Sequence, residues 1–261
     1  MRVLFIGDVV GSPGRRGLRD AMPALREAHA PDLVIVNGEN SAGGMGITPR
    51  TARDLFETGA GVITSGNHVY RHREVYEFLD EEERLVRPAN YPQANPGRGH
   101  TVVEAGGMRV AVINLSGAAG GLRVARSPFD TVDGILDRVE ADAVLVDFHA
   151  EVTSEKVAMG WHLDGRVAAV FGTHTHVPTA DGRVLPGGTA FISDVGMTGS
   201  RTSVLGVKPE QALASLMTQM PTRFETATED VWVMGAVVEV NPRGLADSFE
   251  QVLLPAPPEG S

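Results

Sequence analysis

Arg2-Val3-Leu4-Phe5-Ile6-Gly7-Asp8 and, further on, Asp32-Leu33-Val34-Ile35-Val36-Asn37-Gly38-Glu39-Asn40 decide how the fold is read. Each is an apolar, strand-like run that closes on a carboxylate. Between them Pro13–His29 carries a proline near its start and Leu18, Met22 and Leu25 at helical spacing. Working outward, Thr48–Thr58 reads as a helix with Thr48 as N-cap and Pro49 at the first helical position. Val62–Ser65 is the next strand, and a charged helix is expected from about Arg71 to Glu83. Strand and helix alternating in this way predict a mostly parallel central sheet.

The middle of the chain changes character. Pro88–Gly99 is rich in Pro, Gly and Asn and reads as a surface loop. Thr101–Ala105 and Met108–Asn114 flank Gly106-Gly107, a hairpin signal because glycine supplies positive φ. Gly117–Pro128 is a second glycine-rich loop, after which Val144–Phe148 and Val167–Phe171 resume the strand pattern. Thr189–Ile192, a helix near Glu210–Met220, and strands near Val231–Val240 and Phe249–Leu254 close the series. Late strands with no helix between them point to an antiparallel second sheet, and so to a two-sheet sandwich. One α/β domain over 1–255 with a frayed tail at 256–261 is the expected organisation.

Five of these runs end on residues that bind metals. They lead to Asp8, to Glu39-Asn40, to Asn67-His68, to His149 and to His174-Thr175-His176. In an open α/β sheet ligands bind outside the carboxyl ends of the strands. Taken singly, Asp8 reads as a helix cap, Asn67-His68 as a cap of the next helix, and His149 as an interior histidine. His174-Thr175-His176 is stronger, because alternate residues of an extended segment share a face. Together they predict a site for two metal ions. Mixed nitrogen and oxygen donors without sulfur suit Mn, Fe or Zn better than Ca. Two ions need a shared ligand, which either Asp8 or Glu39 can be, and would acidify a shared water into a hydroxide nucleophile. His68, next to Asn67, is placed to act as a general acid. Ser41–Gly46 and Gly11–Gly14 are glycine-bearing loops matching neither the Walker nor the dinucleotide pattern.

Composition narrows the partners. A net charge of -10 argues against stable binding of long nucleic acid but not against a small nucleotide beside metal cations. The absence of cysteine excludes disulfides, thiolate metal sites and Cys nucleophiles. The chain enters its first strand at once and has no apolar run approaching about 18 residues, so no membrane association and a cytoplasmic location are expected.

Gly7-Asp8-Val9-Val10, Gly38-Glu39-Asn40, Gly66-Asn67-His68-Val69, Phe148-His149 and Gly172-Thr173-His174-Thr175-His176 resemble the motif series of the calcineurin-like metallophosphoesterases. Val10 stands where that series has a metal-binding His, Glu39 where it has a bridging Asp, and Val69 where it has an acid. Those departures, with Asn37–Gly44, Gly172–Asp181 and Asp194–Gly199, resemble the bacterial YmdB-type branch over nearly the whole chain. The resemblance implies a four-layer α-β-β-α sandwich with two mixed sheets. It also implies a dinuclear phosphodiesterase of cyclic nucleotides, the 2′,3′-cyclic ones above all. By position it implies that Asp8, Glu39, Asn40 and His176 hold one ion, and Glu39, Asn67, His149 and His174 the other. Glu39 is then the bridge and His68 the proton donor. The ions expected are divalent or trivalent, iron or manganese before zinc, and the partner is a small phosphodiester; a homo-oligomer is allowed for. A phosphomonoesterase using Arg123, Arg126 or Arg201, and a metal-binding regulator without catalysis, are the alternatives.

Overall fold

The strands are short apolar runs rich in Val, Ile, Leu and Phe, separated by segments bearing glycine and proline. The computed structural model describes residues 1–257. It opens with β1 (Arg2–Ile6), β2 (Asp8–Val9), α1 (Gly11–His29), β3 (Leu33–Asn37), α2 (Pro49–Glu57), β4 (Val62–Thr64) and α3 (Val75–Glu81). β5 (His100–Ala105), β6 (Met108–Ser116), α4 (Pro128–Leu136), β7 (Ala143–His149) and α5 (Thr153–Leu163) follow. Then come β8 (Ala169–Thr173), β9 (Arg183–Val184), β10 (Ala190–Ile192) and β11 (Met197–Ser200). α6 (Pro209–Thr218), β12 (Val231–Val240) and β13 (Ala246–Pro255) complete the order.

The first sheet has seven strands. β1, β3 and β4 run parallel; β12 is antiparallel to β1, to β13 and to β11, and β11 is parallel to β2. The second has six, in the order β5-β6-β7-β8-β10-β9, with β6, β7, β8 and β10 parallel and antiparallel strands at both edges. Both sheets are mixed. Val3, Phe5, Ile35 and Val238 on the first meet Val112, Leu145, Phe171 and Ile192 on the second in one apolar layer. Phe5 and Phe171 stack at its centre, ring centroids 4.4 Å apart. Leu18, Met22, Leu25 and Leu55 from α1 and α2 cover the outer face of the first sheet, and Val132, Ile135, Met159 and Leu163 from α4 and α5 cover that of the second. The result is the α-β-β-α sandwich that the motifs led us to expect.

Local chemistry sets the boundaries. Thr48 accepts from Thr51 N–H and Pro49 follows it, so α2 starts where the sequence suggests. The β5–β6 hairpin turns at Gly106 and Gly107, whose φ angles of 54° and 75° need residues without a Cβ.

Three expectations are corrected. The late strands β12 and β13 are antiparallel, but they extend the first sheet rather than forming the second, because β12 pairs with β1 from Arg2↔Glu239 to Ile6↔Gly235. The helix expected from Arg71 begins only at Val75, after turns that follow Asn67-His68. Two helices, α4 and α5, lie where no helix is expected from the residue pattern. Pro255 pairs with Trp232 and Ala256 N–H donates to Val231 O; of the expected tail, 258–261 lies outside the described residues. Among the described residues no helix is long and apolar enough to cross a membrane.

Candidate metal centre

Parallel pairing brings the strand ends together. β1 lies beside β3, β3 beside β4, and β7 beside β8 with His149 opposite Thr173. The residues just past these ends therefore converge on one edge of the sandwich. Below them lies a polar layer inside an otherwise apolar core. Asp147, 1% exposed, accepts from Asn37 Nδ2 at 2.8 Å, from the Thr64 hydroxyl, and from the Thr173 hydroxyl at 2.7 Å. It joins β7 of the second sheet to β3 and β4 of the first. Burial pushes its carboxyl up to about 8, against three donors pulling the other way.

Above this layer the candidate ligands meet. His149 Nε2 lies 2.6 Å from Glu39 Oε2, 2.9 Å from His174 Nδ1 and 3.0 Å from Asn67 Oδ1. Asp8 Oδ1 is 3.8 Å from His149 Nδ1 and 3.8 Å from His176 Nε2. Donor atoms of Asp8, Glu39 and His149, all buried, fall within 4.8 Å of one another. Gly66 makes room for them: a Cβ there would stand 1.7 Å from Glu39 Oε2.

Each histidine is anchored through one ring nitrogen and bare at the other. His149 Nδ1 donates to Thr173 Oγ1 at 2.9 Å, His174 Nε2 to Glu151 Oε2 at 2.9 Å, and His176 Nδ1 to Leu205 O at 3.0 Å. A neutral imidazole has a single N–H, so the nitrogens facing the cluster present lone pairs. Burial first, then Lys156 and His176, hold His149 down to about 4, against the pull of Asp8 and Asp194, so its ring is neutral at pH 7. Burial and His149 likewise lower His174, and burial raises Glu39. Among the described residues, Asp8 Oδ1, Glu39 Oε2 and Asn40 Oδ1 are buried with no hydrogen-bond donor. Lone pairs crowded on lone pairs, with orphaned oxygens around them, lack only a cation. The donor set fits a metal centre.

The remaining sequence candidates are close by. His68 N–H donates to Glu39 Oε1 at 2.7 Å, leaving Oε2 turned to the cluster, and His68 Nε2 lies 3.3 Å from Asn67 Nδ2. Asn40 is fixed by its Nδ2 donating to Gly44 O at 3.1 Å. Asp8 is in β2 and caps nothing; the N-cap of α1 is Val10. One local expectation fails. His174 and His176 do not alternate on an extended segment, because their φ angles are 98° and 66° and the chain bends at each. The two rings turn to different partners, His149 and Asp8. Sequence reading missed Asp147, Thr173, Glu151 and Leu205; an acid inside the apolar run Val144–Phe148 was the one visible signal. Arg126 donates to Ala89 O, whereas Arg201, 4.3 Å over the Trp232 ring, lines a cavity together with His176 and Leu205.

Two mixed sheets sandwiched between helices, with carboxylates, amides and histidines gathered at the strand ends, define the chain as a metallophosphoesterase. Within that class it belongs to the YmdB-like family, whose model, described as YmdB-like protein, matches residues 4–252. The 2′,3′-cyclic-nucleotide 2′-phosphodiesterase of Bacillus subtilis (strain 168) is 45% identical over 247 residues, 92% of each chain. A crystal structure of a hypothetical protein from Thermus thermophilus is 42% identical, with a TM-score of 0.92 over 98% of this chain and 100% of that one. A Mycoplasma pneumoniae structure, described as that of a novel phosphatase, is 34% identical, with a TM-score of 0.93 over 98% and 94%.

Proposed function

We propose that the protein is a phosphodiesterase that hydrolyses cyclic nucleotides, 2′,3′-cyclic ones in preference, at a centre for two metal ions, with residues 1–255 acting as one domain. The observation that carries this reading is the set of three anchored histidines with bare nitrogens facing Glu39, Asn67 and Asp8. The cyclic-nucleotide activity named for the Bacillus subtilis relative supports the substrate class. Asp8, Glu39, Asn40 and His176 would hold one ion, and Glu39, Asn67, His149 and His174 the other, with iron or manganese suited to these donors. Ions bound there supply Lewis-acid stabilisation of phosphoryl charge and acidify water.

The chain's own groups do the rest. The two carboxylates balance the cations. Thr173, Glu151 and Leu205 fix the histidine tautomers. His68 hands a proton to the departing ribose oxygen, which would otherwise leave as a basic alkoxide. The groups gathered at the centre are carboxylate and amide oxygens and imidazole nitrogens rather than guanidinium groups, which suits a singly charged diester better than a doubly charged monoester. Steady-state assays with the metallated protein test this. A higher kcat/KM is expected on 2′,3′-cyclic nucleotides than on the corresponding nucleoside monophosphates. The reverse order would make it a phosphomonoesterase, and no turnover of either would make it a regulator.

A further inference from the structure

Lys156 and Asp194 are nearly inaccessible, at 2% and 1% exposure, and meet at 2.8 Å. Neither takes part in the chemistry proposed above. Lys156 stands on α5, outside the second sheet, and Asp194 lies in the turn between β10 and β11. A buried ion pair is tolerated only where its other hydrogen-bonding positions are filled. Asp194 fills them chiefly from one residue. Its Oδ2 also accepts from Thr175 N–H at 3.0 Å and from the Thr175 hydroxyl at 2.7 Å, while Oδ1 accepts from Gly196 N–H at 2.8 Å.

Thr175 is the residue between the two histidines. Their φ angles, 98° and 66°, lie in the left-handed region that residues with a Cβ avoid. Such backbone persists only where its surroundings over-determine it. Here the surroundings are visible. Thr179 N–H donates to Asp194 O at 3.0 Å, Thr179 Oγ1 accepts from Asp194 N–H at 3.0 Å, and Val195 N–H donates to Gly172 O at 3.0 Å. The turn carrying Asp194 thus grips the histidine segment at its start, middle and end.

The geometry points to Asp194 as the positioning residue of the centre. By holding both donors of Thr175, it locks the strained turn that aims His174 at His149 and His176 at Asp8. Lys156 supplies the opposite charge from α5, coupling the outer helix layer to ligand placement. The inference rests on the metal reading above, and outer partners of metal ligands typically contribute about 10–100-fold in metal affinity.

Calorimetric titration of chelator-stripped protein with Mn²⁺ tests it, alongside thermal unfolding of the same metal-free samples. The matched pair Lys156→Met with Asp194→Leu removes the acceptors of the grip without stranding a buried charge. It is expected to unfold cooperatively yet to bind Mn²⁺ at least about tenfold more weakly. Thr175→Val, which deletes one donor, is expected to weaken Mn²⁺ binding several-fold, and Thr175→Ser to restore it. A purely structural role would lower the unfolding temperature and leave Mn²⁺ affinity alone. Parental affinity in the double variant, or equal affinities in Thr175→Val and Thr175→Ser, overturns the inference. If the double variant does not fold, the Thr175 comparison decides. Failure of the parent to bind Mn²⁺ overturns the metal reading and this inference with it.

Discussion

His68 differs from the other histidines in what its neighbours ask of it. His149, His174 and His176 each spend one nitrogen on an anchor and turn the other inward, whereas His68 grips Glu39 through its backbone N–H. Its ring, with Nε2 3.3 Å from Asn67 Nδ2, is the one for which the proton-donor role is proposed. A general acid contributes about 10²–10⁴-fold, and mainly when the leaving oxygen is basic. His68→Ala is therefore expected to keep its metals and lose that much rate on a cyclic nucleotide, while an activated nitrophenyl diester slows far less. Equal losses on both substrates, measured side by side, would reject the proton-donor role. The ligand types were legible because they punctuate apolar runs at strand ends. Their anchors were not: Thr173 reads as an ordinary strand residue, and Asp147 meets Asn37 across 110 positions of sequence. No local pattern records such a pairing.

Asp147 acts at the scale of elements, since it pins β7 to β3 and β4 beneath the centre. Its carboxyl rises from 3.8 to about 8 on folding. Between those values the folded state keeps a proton that the unfolded chain has released, so stability falls as pH rises through the window. His149, lowered from 6.5 to about 4, opposes this only below 6.5, where the unfolded ring is the one that binds the proton. Above about pH 6.5 Asp147 acts without that opposition. Raising pH from about 6.5 to 8 should thus destabilise the metal-free protein by about 2 kcal/mol in denaturant titrations. Asp147→Asn should shrink that loss; an undiminished loss would contradict the assignment. Elements with a clean period were legible, α1 and α2 among them. α5 was not, because its buried stripe of Lys156, Met159, Gly160 and Leu163 contains a charge and a glycine. The antiparallel character of β12 and β13 was legible too, but which sheet they join depends on β12 pairing with β1, which no periodicity encodes.

Across the whole molecule, the thirteen strands and six helices of the described residues serve to bring five strand ends to one edge. The four-layer order followed from the motif resemblance, since alternation alone led only as far as two sheets. Asp8 and Glu39 are two buried carboxylates in a chain of net charge -10, and on the proposed reading bound metal balances their charge. Glu39 is central to that balance, with one oxygen held by His68 N–H and the other orphaned among His149, His174 and Asn67. Replacing its carboxylate with an amide removes the charge and, on the proposed assignment, the bridge, while preserving shape. The most direct measurement is metal content per chain, by elemental analysis of protein purified without chelator, for the parent and for Glu39→Gln, paired with turnover of a 2′,3′-cyclic nucleotide. Two ions in the parent, with both depleted and hydrolysis nearly abolished in Glu39→Gln, is the result predicted. Two tightly bound ions and parental turnover in Glu39→Gln would contradict it.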